Sequence, residues 1–367
     1  TIQAALECAA PGLDIRVANG TYNASIDNRI ILTEGKSIYG GYSSDYQVRD
    51  LAVYPTIITD VTELSIDVHN EVTPVLVDSN TTPATVLDGF TINGPTSFTP
   101  PGPLVSGAVI INGSPTISNN IINGGGTINA SRAITINNSG PVIKNNTING
   151  GNSLYSDGLW GNVDGAVISN NTIEDGIDIT LAINVSTIRN NSIIARGFGD
   201  VGIRAQADPI TASIIIEANT IASGTTGIAI WSEGGPIIRN NDIVTGSSIA
   251  FPSGIESSSN SIISNNTIVT IAVERSDGFI NPGKGIVISS STLPPTIQNN
   301  IIDVTVGTCI AESSYSSDPV SLKNNDLTGC LTLYSDENMV SITNIDDVNA
   351  LSVTDASGNV SIPPNLD

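Results

Sequence analysis

The sequence is poor in histidine, methionine and positive charge. One His, one Met and 13 Lys plus Arg stand against 35 Asp plus Glu, for a formal charge of −22 over 367 residues. A single His and three Cys form no Cys/His metal pattern. So few cations cannot displace counterions from nucleic acid, which excludes that partner and leaves cations and neutral sugars as easier ones. No apolar run approaches the 18 residues of a membrane span, so no membrane insertion by this segment is expected. No signal peptide opens the chain at Thr1, and a mature or trimmed soluble portion is expected.

What is present is glycine, 35 residues of it, with abundant Asn, Ser, Thr, Ile and Val. β-Branched residues suit pleated sheets, and Gly and Asn suit tight turns. The arrangement is repetitive. The segments PTISNNIING (115–124), PVIKNNTING (141–150), AVISNNTIED (166–175), STIRNNSIIA (186–195), IIIEANTIAS (214–223), PIIRNNDIVT (236–245), SIISNNTIVT (261–270), PTIQNNIIDV (295–304) and VSLKNNDLTG (320–329) align without gaps. Their second Asn falls at Asn120, Asn146, Asn171, Asn191, Asn219, Asn241, Asn266, Asn300 and Asn325, 205 residues in eight steps, a mean near 26.

A period of that size, with short apolar alternations on both sides of a polar turn, means one strand–turn–strand coil per repeat, stacked in parallel. Identical amides stacked about 4.8 Å apart satisfy one another along the column. Ala218 replaces the first Asn of one pair, whereas the second Asn does not vary among the nine, so the second is the expected ladder residue. A further strand recurs as GLW (158–160), GID (176–178), GIR (202–204), GIA (227–229), GIE (254–256) and GIV (285–287). Three strands per coil result, with Ile117, Ile122, Ile177 and Ile179 pointing inward. The fold expected is all-β: a single-stranded right-handed parallel β-helix of three sheets with an Asn ladder, its hand set by the rule for parallel crossovers.

Residues 1–12 read as a capping helix, with Thr1 as cap and Ile2, Ala5, Leu6 and Ala9 on one face. Residues 13–90 are irregular first coils, 91–337 the regular repeats, and 338–367 a last coil or a cap. The chain resembles bacterial and archaeal surface proteins of the parallel β-helix repeat type, relatives of the pectate-lyase-like superfamily. TIQAALECAAPGLDIRVANGTY, SIYGGYSSDYQVRD, VLDGFTING, the Asn pairs and CLTLYSDENMVSITNIDDVNAL carry the likeness. It implies a secreted or cell-surface setting and no single activity, because relatives include lyases, hydrolases and adhesins.

Aligned on their Gly, the Gly-Ile strands place Trp160, Asp178, Arg204, Ala229, Glu256 and Val287 in one outward column, and Asn162, Thr180, Gln206, Trp231, Ser258 and Ser289 in the next. Both tryptophans thereby share a face, about three coils or roughly 14 Å apart. Trp160, Asn162, Asp178, Arg204, Gln206, Trp231 and Glu256 are a candidate saccharide site, since sugar faces stack on rings and hydroxyls take directed hydrogen bonds. The alternative is a surface ion pair beside rings packed under loops. Asp157, Glu174, Asp175 and Asp200 precede successive strands of this face and are a candidate Ca²⁺ cluster. A lyase would then use Arg204 or Arg196 as base beside Asp178. The paired-Asp, Gly-His-Gly and Arg-x-Lys segments of polygalacturonases and the Trp-x-Asp-His run of pectate lyases are missing. His69 lies outside the repeats.

Cys309 and Cys330 align at the Gly position of consecutive coils, which predicts a disulfide, and Cys8 is expected to be buried. Two functional readings result. One is a secreted or cell-surface protein with a structural or adhesive role that binds carbohydrate or a surface partner on one outer face. The other is a polysaccharide lyase acting on an acidic glycan with Ca²⁺.

Overall fold

The computed structural model describes residues 1–24, 28–60, 71–96, 105–126, 130–151, 153, 155–182, 184–196, 201–207, 213–231, 234–247, 250–274, 277–289, 294–313, 318–336, 340–352 and 354–362. They form two compact units, Thr1–Thr187 and Ile188–Asp367. Both follow the expected plan, in which each coil gives one strand to each of three sheets.

In the N-terminal unit the first sheet holds Asp14–Ala18, Ser37–Tyr42, Val86–Asp88, Thr116–Ser118, Val142–Lys144 and Val167–Ser169 in that order. The strand after each Asn corner forms the second sheet, and the third includes Val105–Ile111, Ala130–Ser139, Tyr155–Val163 and Ile177–Ala182. Register stacks like on like. Leu87, Ile117, Ile143 and Ile168 are partners in the first sheet, Ile92, Ile122, Ile148 and Ile173 in the second. None of these is more than 1% exposed. In the C-terminal unit Ile216, Ile238, Ile263, Ile297 and Leu322 stack the same way. Each fully buried aliphatic side chain contributes about 1.5–3 kcal/mol.

The corner between first and second sheets shows why the Asn pair is asymmetric. The first Asn takes a left-handed backbone, with φ of 53–57° at Asn119, Asn145, Asn170, Asn190, Asn240, Asn265, Asn299 and Asn324. Asn tolerates that region because its short polar side chain bonds locally. Ala218 is forced into the same conformation, φ 54°, without that help. The second Asn turns inward and builds the ladder. Asn241 Oδ1 accepts from both the backbone N–H and Nδ2 of Asn219, each at 3.0 Å, while its own Nδ2 donates to Ile216 O and Asn266 Oδ1. The pattern recurs at Asn120 and Asn146, and again from Asn219 to Asn325.

The ladder is longer than the Asn pairs indicate. Asn325 bonds onward to Asn359, and Asn349 closes the column, its Oδ1 accepting from Asn359 N and Nδ2 and its Nδ2 donating to Asn359 O. Gly358, φ 68°, stands where the first Asn would be, just as Gly89, φ 82°, does before Phe90 at the ladder's other end. The C-terminal segment is therefore both a last coil, through strand Asp355–Ser357, and a cap, through helix Ile345–Asn349.

At the N-terminus, helix Ile2–Cys8 is capped by Thr1, whose Oγ1 accepts from Ala4 N, and buries Ile2 and Leu6. Gln3 Oε1 receives Ile31 N at 2.8 Å and Lys36 Nζ donates to Leu6 O, fixing the helix on the first coil. The expectation of a buried Cys8 is corrected: the thiol is exposed, because it lies on the side of the helix away from Ile2 and Leu6. Cys309 and Cys330 are disulfide-bonded with Cα atoms 5.6 Å apart. Their expected register is also corrected. Thr308 and Ile310 pair with Thr332 and Tyr334, so Leu333 stands opposite Cys309 and Cys330 lies in the corner before the strand.

Replacing Asn241 by Ala removes the acceptor of the Asn219 backbone N–H, one of the two acceptors of Asn219 Nδ2, which keeps Ile188 O, and the donor to Ile216 O. We expect an unfolding free energy lower by about 3 kcal/mol or more, against about 1 kcal/mol for Asn240→Ala beside it. Equal losses in urea denaturation would sink the assignment of the second Asn to the ladder. Conversely, Ala218→Asn relieves an unsupported left-handed residue and should gain about 1 kcal/mol in the same assay.

Candidate functional site on the third sheet

The Gly that opens each Gly-Ile strand is required by close approach. A Cβ on Gly202 or Gly227 would lie 2.4 or 2.3 Å from the Cγ2 of Ile221 or Ile243 in the following coil. With glycine tucked into the corner, the next residue but one faces outward, and these are the residues the alignment selected.

In the N-terminal unit, Trp160 pairs with Thr135 on one side and Asp178 on the other. Its half-buried ring carries the guanidinium of Arg132 3.5 Å from its centroid. Arg132 is the strand partner of Asp157 and pairs with its carboxylate at 3.8 Å. One strand position along, Thr180 Oγ1 donates to Asn162 Oδ1 at 2.6 Å, across a register shift after Gly161. The result is an indole, a guanidinium, two carboxylates and an amide–hydroxyl pair on one sheet face.

The C-terminal unit repeats the combination. Arg204 pairs with Ala229, Ala229 with Glu256, and Glu256 with Val287. Trp231, 43% exposed, follows strand Thr226–Ile230 and donates its backbone N–H to Ala205 O. The Arg204 guanidinium is 5.5 Å from its ring. Gln206 is exposed beside them, and Glu256 Oε1 accepts from Thr226 Oγ1 at 3.4 Å. A cation over an indole is attracted by the ring quadrupole, by about 0.5–1 kcal/mol where exposed and more when desolvated.

Arg132 was missed from the sequence because its strand reads Arg-Ala-Ile-Thr (132–135) rather than Gly-Ile. Read against Asp157-Gly158-Leu159-Trp160, its place opposite Asp157 is visible. Among the described residues the candidate calcium residues form no group of three within 4.8 Å. Asp157 is committed to Arg132, Glu174 ends strand Thr172–Glu174, Asp175 turns the chain at φ 68°, and Asp200 lies outside the described residues, as does His69. Among the described residues one group of three carboxylates lies within 4.8 Å of one another, Glu312, Asp318 and Asp336. Glu312 is buried and accepts the Tyr334 hydroxyl, whose pKa is raised by burial and by Glu312.

Residues 157–330 match the family model described as right handed beta helix region. No curated protein matches the sequence. Among solved structures the chain is similar to the A-module of mannuronan C-5 epimerase AlgE6 of Azotobacter vinelandii, at 16% identity over 99% of this chain and 94% of that one, TM-score 0.57. It is also similar to a mutant of DFA-IIIase from Arthrobacter chlorophenolicus A6 in complex with DFA-III, at 13% identity over 93% and 92% of the two chains, TM-score 0.52. A tailspike protein mutant of E. coli bacteriophage HK620 in complex with a pentasaccharide aligns more loosely, at 11% identity over 98% and 73%, TM-score 0.49. Among the described residues no helix is long and apolar enough to cross a membrane. The three parallel sheets, the asparagine ladder, the family model and the likeness to the epimerase A-module and DFA-IIIase agree on the architecture: the chain is a right-handed parallel β-helix.

Proposed function

We propose that the chain is a secreted or cell-surface carbohydrate-binding protein that holds its ligand without chemical conversion, on the outer face of the third sheet. The observation that carries this is the repeated pairing of tryptophan with arginine. Trp160 lies in a strand of that sheet and Trp231 directly follows one, and each has a guanidinium against its ring, Arg132 on Trp160 and Arg204 on Trp231. Flat sugar faces stack on indole, and the flanking groups, Asn162 and Asp178 in one unit and Gln206 and Glu256 in the other, are hydrogen-bonding partners for hydroxyls.

The stacking favours binding over lyase chemistry. Arg132 and Arg204 are each held against a ring by its quadrupole, an arrangement that presents hydrogen-bond donors to a ligand. Parallel strand pairing holds the groups of this face in register, which lowers the entropy lost on binding.

Isothermal titration against a panel of neutral and acidic oligosaccharides tests this. Wild-type protein should bind at least one member, with Trp160→Ala and Trp231→Ala each weakening it about tenfold, equivalent to 1.4 kcal/mol. Binding that is indifferent to both substitutions, or unsaturated products accumulating during the titration, would overturn the reading.

A further inference from the structure

The first coils of the N-terminal unit concentrate what the rest of the chain lacks. Five of the eight Tyr (Tyr22, Tyr39, Tyr42, Tyr46, Tyr54) and four of the 13 Lys and Arg (Arg16, Arg29, Lys36, Arg49) fall between residues 16 and 54. Of the two arginines on the first sheet's outer side, Arg49 is accounted for by the fold. Its Nε donates to Gly40 O at 2.9 Å, it pairs with Asp88, and its guanidinium is 5.5 and 5.6 Å from the Tyr39 and Tyr42 rings. Asp88 takes in addition Ser118 Oγ and Asn119 Nδ2. That network anchors the 43–54 loop on the sheet.

Arg16 has no such network. Its guanidinium stands 5.4 Å from the Tyr42 ring, and one Nη1 bond, 3.4 Å long, goes to Tyr46 O. Among the described residues no carboxylate pairs with it, in a chain with 35 acidic side chains. It is exposed, so the remaining edge of the fork is open.

Tyr46, next to it, is strained. Its φ is 62°, and among the described residues it is the only aromatic in the left-handed region, where the other non-glycine residues are Asn, Asp175 and Ala218. A left-handed non-glycine residue costs about 1–3 kcal/mol and persists only where its surroundings impose it. Here they do. Tyr46 N donates to Ser43 O, Ser43 N to Val48 O, and Val48 N to Ser43 Oγ, which in turn donates to Asp45 Oδ1. These bonds hold the Asp45 carboxyl below its usual range, the Ser43 hydroxyl being the largest cause. The turn thus presents a ring that is 46% exposed and near enough to Tyr22 to help burial push that phenol up. No packing in the core repays the strain, since the ring faces out.

We propose that Arg16, Tyr42 and Tyr46 form a preformed site for a sugar residue bearing a carboxylate: the ring face stacks on Tyr46 and the open edge of Arg16, steadied on Tyr42, takes the carboxylate through its planar fork. The assignment rests on the carbohydrate reading above for its ligand class, and on different side chains and a different sheet for its location. It accounts for a guanidinium with no carboxylate partner among the described residues and a strained aromatic at one place.

The test uses protein in which both indoles are removed, Trp160→Ala with Trp231→Ala, titrated with oligogalacturonate and oligomannuronate and with their carboxyl-reduced counterparts. One site per chain for at least one acidic oligomer should survive, at least tenfold stronger than for the reduced form. Adding Arg16→Gln or Tyr46→Gly should weaken it at least tenfold, and Tyr46→Gly should raise Tm because glycine accepts the left-handed backbone. Should the indole-free protein not fold, the same two substitutions in the wild-type background must remove the carboxylate-dependent part of binding and leave neutral-sugar affinity unchanged. No acidic binding without the indoles, binding indifferent to Arg16 and Tyr46, equal binding of reduced oligomers, or a lower Tm for Tyr46→Gly would each overturn the proposal. Loss of wild-type binding on removing the indoles alone would do so while leaving the third-sheet reading intact.

Discussion

The Asn column is the constraint from which the rest of the molecule follows. A solenoid corner must turn the backbone sharply while keeping every inward N–H and C=O satisfied, because an unpaired buried group costs about 1–3 kcal/mol. One residue type solves both halves of the problem in consecutive positions. The first Asn of the pair accepts the left-handed conformation, and the second supplies two acceptor lone pairs and two donors that meet the coils before and after it. Since each rung bonds to the next, the amides fix the register of the flanking strands, and register fixes which side chains face out. Slippage by one residue would place Ile238 and Ile243 in solvent.

Fixing the corner makes the rest of each coil free to vary. The steps between ladder residues run from 20 to 34, yet the strand partners remain in phase, as between Ile255 and Ile286 where the step is longest. The extra chain is accommodated between strands. What such a scaffold offers function is a set of outward columns at sheet spacing, and the composition of each column then carries the chemistry. On the first sheet, Arg239 pairs with Glu217 and Lys323 with Asp355, so these bases meet counter-charges. On the third sheet the bases meet rings instead.

The fold was legible because its signal repeats and its physical cause is local. A left-handed corner, an inward amide and flanking β-branched residues leave the same print nine times, and the parallel three-sheet arrangement follows from period and crossover handedness. The ends were harder to read for the same reason. Asn359 belongs to the ladder although its neighbour is Gly358, because the corner demands a left-handed backbone and not asparagine as such; a search for Gly-Asn as well as Asn-Asn finds it. Asn349 reaches the column from a helix, which no strand period foretells. The outward columns around Trp160 and Trp231 came from alignment alone, whereas Arg132 and its grip on Trp160 depend on a side-chain direction that alignment does not encode. The register of Cys330 went astray because the last coil departs from the Gly-Ile pattern: Leu333, not a glycine or cysteine, occupies that position.

Scarcity makes the cations informative. With 35 Asp plus Glu against 13 Lys plus Arg, carboxylates outnumber cations, and an ion pair is the default arrangement. Arg49, Arg239 and Lys323 adopt it. Arg132 combines it with an indole, and Arg16 sits on a tyrosine with one weak backbone contact. A guanidinium kept on an aromatic face is oriented in advance, its planar fork aimed by the ring beneath it. In an acidic protein the ambient field disfavours anionic ligands at long range, so recognition of an acidic sugar has to come from such local, preoriented groups. Arg132 on Trp160 and Arg16 on Tyr42 are such groups in the N-terminal unit, on two different sheets, the second beside Tyr46, whose backbone is strained.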